Sequence, residues 1–437
     1  MILFYLLIAI MPLTEHRIWE TSQGSLTLFK WLGIACLLVA IFHLIQHRGP
    51  PPFFRSWQAG LFVFLYALVV LSYFSKTKTV QAWEISPLAG WTSCVSLFFV
   101  TLTLVDTLPR LRWVLMVLVG SLAFASLYVL REWQKYHNVY QDFRTWGGVS
   151  GDPNYFSASA LIGVAVAFCL LSEKTPRWGR WLLAGCLAIT LTALTIAASR
   201  GGFLGLAAAF AVIAWRSRRR LLMFSLGTVA LVFLFTIAPV APVERLLHPS
   251  PSDERATQNR KIAWQAGLRM MESAPLFGIG VGNYKAMVRQ FEDEDVQLEG
   301  VAHNTYIEIG AELGLPAMAI FLAILFLNYR SLERVRRRAQ EAGESFLERA
   351  AVGLQAAIVG FSVSIFFLSE EYQRHLWFLV FLSMCLPYLQ PARRAPARNI
   401  KDMEPASTEE MEVEEDEEDE EREEGEEDEQ VYEEWQG

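Results

Sequence analysis

The chain reads as an all-α polytopic membrane protein of about 12 transmembrane helices, with a large outward-facing loop between spans 9 and 10. Three observations predict this. The composition is 53% hydrophobic and 13% aromatic, with Trp 14 and Phe 29, and its apolar residues fall in runs too long for a soluble domain. Basic residues collect in every second connection between those runs. Polar chemistry gathers in one stretch, Pro251 to Pro316, between two apolar spans.

Crossing the hydrocarbon takes roughly 20 apolar residues. Candidate spans lie near 1–13, 25–46, 57–74, 88–107 and 111–131, then near 155–172, 181–198, 202–215, 221–240, 303–328, 350–368 and 375–390. The first is short, but it lacks the basic region and small-residue cleavage site of a secretory leader and so reads as a span. The eighth is short enough to be a half-helix continuing the seventh.

Orientation follows from charge. The connections at 47–56 and 108–112 carry Arg48, Arg55, Arg110 and Arg112, while 173–180, 216–220, 329–349 and 391–401 carry three, four, six and four Lys/Arg. The intervening connections at 14–24, 199–201 and 369–374 carry one each, which places both termini in the cytoplasm. The connection at 241–302 has seven, yet loops near 60 residues can be translocated regardless of charge, so it is expected outside.

The formal net charge of -8 hides an asymmetry. Residues 402–437 hold 21 acidic side chains and one Arg, leaving a basic body with 37 Lys/Arg against 25 Asp/Glu. Two domains are expected: a transmembrane domain at 1–391, and a disordered acidic cytoplasmic tail at 392–437, too charged to bury a core. Cys36, Cys94, Cys169, Cys186 and Cys385 all fall inside apolar stretches without metal-ligand spacing, so no disulfide framework and no metal site is expected.

Four outward-facing elements carry candidate chemistry. Gly147 to Asn154 precedes the sixth span, where Asp152 or Asn154 suits a helix cap and Pro153 its first turn. Ser199-Arg200-Gly201-Gly202 interrupts two apolar runs, and an arginine at that depth is a functional candidate because its fork binds phosphate oxygens. In the loop, Ser252 or Asp253 opens an amphipathic helix running to Ala274, with Arg260, Trp264, Leu268 and Met271 on one side and Trp264 and Met271 expected on the membrane surface. Gly278 to Asn283 reads as a tight turn, since its spacing breaks the dinucleotide-binding pattern.

The fourth element opens the tenth span. His303 stands there, with Asn304, Glu308 and Glu312 four apart, Gly310 and Gly314 permitting close packing, and Pro316 able to kink the helix. Carboxylates within an apolar span are expected to line a cavity.

Taken together, Asp152-Pro153-Asn154, Ser199 to Gly202, Arg260 with Trp264, Pro275 to Tyr284, and His303-Asn304-Thr305-Tyr306 leading to Gly314 resemble the O-antigen ligase and Wzy-type polymerase superfamily over about residues 145–330. The resemblance implies a membrane glycosyltransferase C-like fold with a periplasmic loop at 241–302, in the bacterial cytoplasmic membrane. It implies transfer of a glycan from a polyprenyl-diphosphate donor to a lipid, glycan or protein acceptor, among membrane lipids, in surface polysaccharide synthesis. No cofactor, nucleotide sugar, metal or nucleic acid is implied, and the anomeric centre would invert. His303, Arg200 and Arg260 become the catalytic candidates, with the arginines clamping the diphosphate and His303 either deprotonating the acceptor or binding the diphosphate. Asn304, Asn283, Tyr284, Trp264, Asp152, Asn154 and Glu308 become substrate-binding candidates. The competing readings are a lipid-linked oligosaccharide flippase or a non-catalytic subunit of a polysaccharide export complex. A flippase would spread charge along many helices, whereas here it gathers at one side.

Overall fold

A computed structural model describes residues 1–13, 28–46, 56–76, 87–139, 145–171, 176–217, 219–237, 251–292, 300–369 and 373–389. The acidic tail and the run 293–299 lie outside the described residues. The described chain is helical throughout, with short 3-10 turns and no strand. Its helices are α1 (Ile2–Ile10), α2 (Leu28–Gln46), α3 (Trp57–Lys76), α4 (Pro87–Leu104), α5 (Leu108–Tyr136), α6 (Pro153–Leu171), α7 (Arg177–Ala197) and α8 (Arg200–Arg216). They continue with α9 (Arg220–Ile237), α10 (Pro251–Ser273), the short α11 (Tyr284–Met287), α12 (Thr305–Leu313), α13 (Leu315–Glu341), α14 (Ser345–Ser364) and α15 (Arg374–Cys385).

Eight of these, α2 to α7, α13 and α14, are long and apolar enough to cross a membrane among the described residues. The chain is an all-α, multi-pass membrane protein. α8, with 17 residues, and α15, with 12, are apolar but shorter.

Contacts sort the helix ends into two sets, as an up-and-down bundle requires. At one end the α2 residue His43 meets Asp106, Gln58 donates to the Leu327 carbonyl, Arg112 lies over Phe346, and Arg216 pairs with Glu333. At the other, Ser72 and Lys76 bind the 278–281 turn, and Tyr155 reaches Ser369.

In lipid, burying an apolar side chain releases no water, so helices associate by shape and close approach. α3, α4 and α15 interdigitate aromatics: Phe62 lies 4.7 Å from Phe381 and 4.8 Å from Trp377, and Trp91 lies 5.5 Å from Trp377. Each such pair contributes about 1 kcal/mol beyond its contact area. α8 and α14 cross through glycine instead, for a Cβ on Gly360 would stand 2.7 Å from the Gly205 carbonyl oxygen. Any larger residue there would push the two helices apart.

One expected boundary is sharpened and one expected span is divided. The seventh ends at Ala197, Ala198 turns left-handed (φ 47°), and Ser199 caps a new helix by accepting the Gly202 N–H at 3.1 Å. α7 packs on α5 and α6 while α8 packs on α6 and α14, so the eighth is a separate helix and not a continuation of the seventh. The tenth span breaks at Gly314 (φ 88°) into α12 and α13, because Pro316 fixes the first turn of a new helix and a Cβ on Gly314 would meet the Leu276 carbonyl at 2.5 Å.

Candidate functional site

The site is assembled from the starts of α6, α8 and α12, the middle of α10 and the connection after α14. At the start of α6, Asp152 is the cap: its Oδ1 accepts the N–H groups of Asn154 at 2.6 Å and Tyr155 at 3.1 Å. The preceding turn is held by a residue that no sequence pattern singles out. The Glu132 carboxylate, near the end of α5, accepts the Trp146 N–H at 3.1 Å, the Gly148 N–H at 2.9 Å and the Thr145 hydroxyl.

The starts of α6 and α8 are tied directly. Ser199 Oγ donates to Asn154 Oδ1 at 2.9 Å while it caps α8. The joint between the two helices thus runs through Asn154, two residues from Asp152, and Ser199, next to Arg200.

Arg260 arrives from α10. That helix matches the expected span, but its inner face turns to the protein and not to the membrane surface. Ala263, Ala266, Met270 and Met271 are buried, Met271 packs against Gly310 of α12, and Trp264 packs on Phe366 with its Nε1 donating to the Ala302 carbonyl at 2.9 Å. Of the expected stripe only Met271 is buried and Leu268 is 50% exposed, so the buried face is rotated from the one that three- and four-residue spacing from Arg260 marks, and protein, not lipid, covers it. Trp264 therefore props the backbone that leads into His303.

His303 is one of two described non-glycine residues with a left-handed backbone, at φ 49°. Such a conformation persists only where surrounding bonds hold it. Its N–H donates to Ser369 Oγ at 3.1 Å, and the Ser369 hydroxyl donates to the Glu308 carboxylate. Asn304 follows as the cap of α12, accepting from Tyr306 N–H at 3.0 Å and Ile307 N–H at 3.1 Å, and Thr305 Oγ1 donates to the Leu368 carbonyl at 2.7 Å.

The cationic and acidic groups lie close enough to act on one another. Burial pushes the Arg260 guanidinium below its ordinary value, the charge of Arg200 pushes the same way, and Asp152 opposes both. Burial likewise lowers His303, reinforced by Arg260 and opposed by Asp152. His303 is therefore neutral near pH 7, with a ring nitrogen able to accept a proton. Arg200 stands in the first turn of α8, where the helix dipole adds to its positive potential.

The structure thus brings Asp152, Asn154, Arg200, Arg260, Trp264, His303, Asn304 and Glu308 into one neighbourhood. Asn283 and Tyr284 belong to a different task. The Asn283 amide donates to the carbonyls of Ile279 at 3.1 Å and Lys76 at 3.4 Å, while Tyr284 is fully buried with its hydroxyl on the Ala263 carbonyl. Glu312, 4% exposed, faces no cavity: it accepts the N–H groups of Gly282 at 2.8 Å and Tyr284 at 3.0 Å. The 275–284 turn is a strap binding α12 to α3, where the Lys76 ammonium donates to the Gly278 carbonyl at 2.6 Å. Glycine is required at Gly278, with φ 61° and the Glu312 backbone 2.2 Å from any added Cβ.

Ser369 and Tyr155 were missed as well. Tyr155 sits beside the Asp152 motif, but Ser369 lies in a short connection with no pattern to mark it, and only folding places it under His303.

The fold and this cluster define a multi-pass membrane protein with a half-buried cationic centre at one end of its bundle. A family model described as O-antigen ligase matches residues 185–322, which contain Arg200, Arg260 and His303. Over those residues the chain carries an O-antigen ligase domain, which supports an O-antigen ligase-like role in surface polysaccharide biosynthesis. No curated protein matches the chain.

Proposed function

We propose that the protein transfers a glycan from a polyprenyl-diphosphate donor to an acceptor hydroxyl at the outer face of the bacterial cytoplasmic membrane. The observation that carries this reading is the convergence of Arg200 and Arg260, two cations whose mutual repulsion is relieved by an anion between them. A diphosphate supplies that anion, and the guanidinium forks match its oxygens. It gains also from the dipole of α8.

Transfer breaks the bond between C1 of the sugar and the diphosphate oxygen, and the electron pair leaves with the diphosphate. The acceptor oxygen forms the new bond at C1, and its proton passes to the neutral His303 ring. Attack opposite the leaving group inverts the anomeric centre. Two guanidiniums stabilise the departing charge, a role elsewhere filled by a divalent cation, so the step is written without one.

An apolar groove of about 650 Å3, lined by Leu204, Tyr306, Phe326, Tyr329, Phe366 and Phe367 among others, runs along α8, α13 and α14 beside the cluster. It suits the donor's polyprenyl chain. The transmembrane unit at 1–391 acts as one catalytic domain, with 241–302 as its outer loop, core elements at 145–330 and both termini cytoplasmic. The tail at 392–437 is accessory.

Purified protein, a synthetic polyprenyl-diphosphate glycan and candidate acceptors test the reading, with a chelator present. Product forms in the chelator, and Arg200→Ala or Arg260→Ala lowers turnover by about two orders of magnitude while the protein stays folded. Full turnover in both variants sinks the assignment.

A further inference from the structure

A second cationic recess lies at the opposite end of the bundle from His303. It encloses about 260 Å3 where the start of α3, the second half of α13 and the turn after α15 meet. Its walls include Ser56, Arg334, Arg338 and Tyr388, over an apolar floor of Val335 and Met384.

Arg334 and Arg338 stand four apart on α13, so their guanidiniums project from one side of the helix. Their neighbours Arg336 and Arg337 pair with Glu333 at 3.0 Å and 2.8 Å. Among the described residues no carboxylate pairs with Arg334 or Arg338. Like charges set side by side without a counterion repel, and the recess between them fits an anion. Ser56 caps α3 by accepting the Ala59 N–H at 3.1 Å, which leaves its hydroxyl proton for an anion. Tyr388 also lines the recess.

Depth in the membrane identifies the anion. Ser56 immediately precedes Trp57, where an apolar helix long enough to cross begins, and Trp57 is 83% exposed. Exposed tryptophan at the start of a span marks the headgroup level. Phosphates of lipids lie at that level, and the floor of Val335 and Met384 suits the glycerol and first acyl carbons below one. We propose that this recess binds the phosphate of an anionic phospholipid from the surrounding leaflet. The site is independent of the glycan-transfer reading.

The test is native mass spectrometry of the full-length protein from nanodiscs of phosphatidylcholine doped with phosphatidylglycerol. Wild type retains one phosphatidylglycerol. Arg334→Gln with Arg338→Gln weakens retention about tenfold, a loss of 1.4 kcal/mol. The charge-matched control, Arg177→Gln with Arg180→Gln at the same end of the bundle, retains the lipid. Ser56→Asp keeps a capping oxygen and so the thermal midpoint, yet loses the lipid because its carboxylate occupies the anion's place. Inorganic phosphate does not displace the lipid. Equal loss in both double variants, retention in Arg334→Gln with Arg338→Gln, or displacement by inorganic phosphate each overturns the proposal.

Discussion

The N–H of His303 donates to Ser369 Oγ at 3.1 Å, so a residue from the connection after α14 holds the left-handed backbone of the histidine at the centre of the cationic cluster. Ser369 touches neither arginine through any bond described above, and its action on chemistry passes through His303. It is a positioning residue. Ser369→Ala is expected to lower kcat about tenfold, the effect of roughly 1.4 kcal/mol in the transition state, with little change in donor KM. Ser369→Thr restores most of the rate. A fall in thermal midpoint that tracks kcat and is not rescued by threonine would assign Ser369 to folding alone.

Replacing Arg260 separates charge from shape. Arg260→Ala is expected to lower turnover by about two orders of magnitude, as loss of a donor to developing negative charge does elsewhere. Arg260→Lys keeps the charge but not the fork, and recovers only part of the rate. Single-turnover assays with saturating donor distinguish the two: equal, low rates in the Lys and Ala variants would show that charge without the fork contributes nothing, and wild-type rates in both would show that neither matters there.

The pH profile follows from His303. Burial and Arg260 hold it below its ordinary value of about 6.5, so the proton-accepting form is already dominant at that pH. kcat/KM is expected to be flat through neutrality and to fall only on the acid side of the ordinary imidazole value. The sign for stability agrees: a depressed group contributes fully above its unfolded value and loses that contribution as pH falls through the folded one. A profile rising from pH 6.5 to 8 would exclude a neutral His303 as base.

Glu312 should affect stability before chemistry. Glu312→Ala strands the N–H groups of Gly282 and Tyr284, a cost of about 2 kcal/mol or more. The thermal midpoint in detergent is expected to fall, and turnover per folded molecule to stay within about threefold. Normal stability with lost turnover would return the strap to the catalytic centre.

Truncation before Lys401 removes most of the acidic tail. Turnover is expected to stay intact with normal membrane insertion, and loss of turnover would contradict an accessory role.

Periodicity and charge made the helices legible, because lipid imposes a strict length and a strict polarity on each span. Asp152, Arg200, Arg260 and His303 were legible for a related reason: polar groups between apolar runs are costly and therefore conspicuous. What sequence could not supply was direction. Glu308 and Glu312 share a helix side at four-residue spacing, yet one meets the Ser369 hydroxyl and the other two amides of the 275–284 strap. Asn283 and Tyr284 lie next to glycines in a polar turn, which reads as a binding loop until their side chains are seen closing on the chain itself. Glu132 and Ser369 are single polar residues near helix ends, indistinguishable by pattern from many others.

The Tyr155 hydroxyl donates to the Ser369 carbonyl at 3.2 Å, and both residues fall outside the matched segment 185–322. That segment is therefore not a portable module. A chimaera that transplants it into a relative would carry Arg200, Arg260 and His303 but leave their bracing behind unless residues 152–155 and 368–369 move along with it.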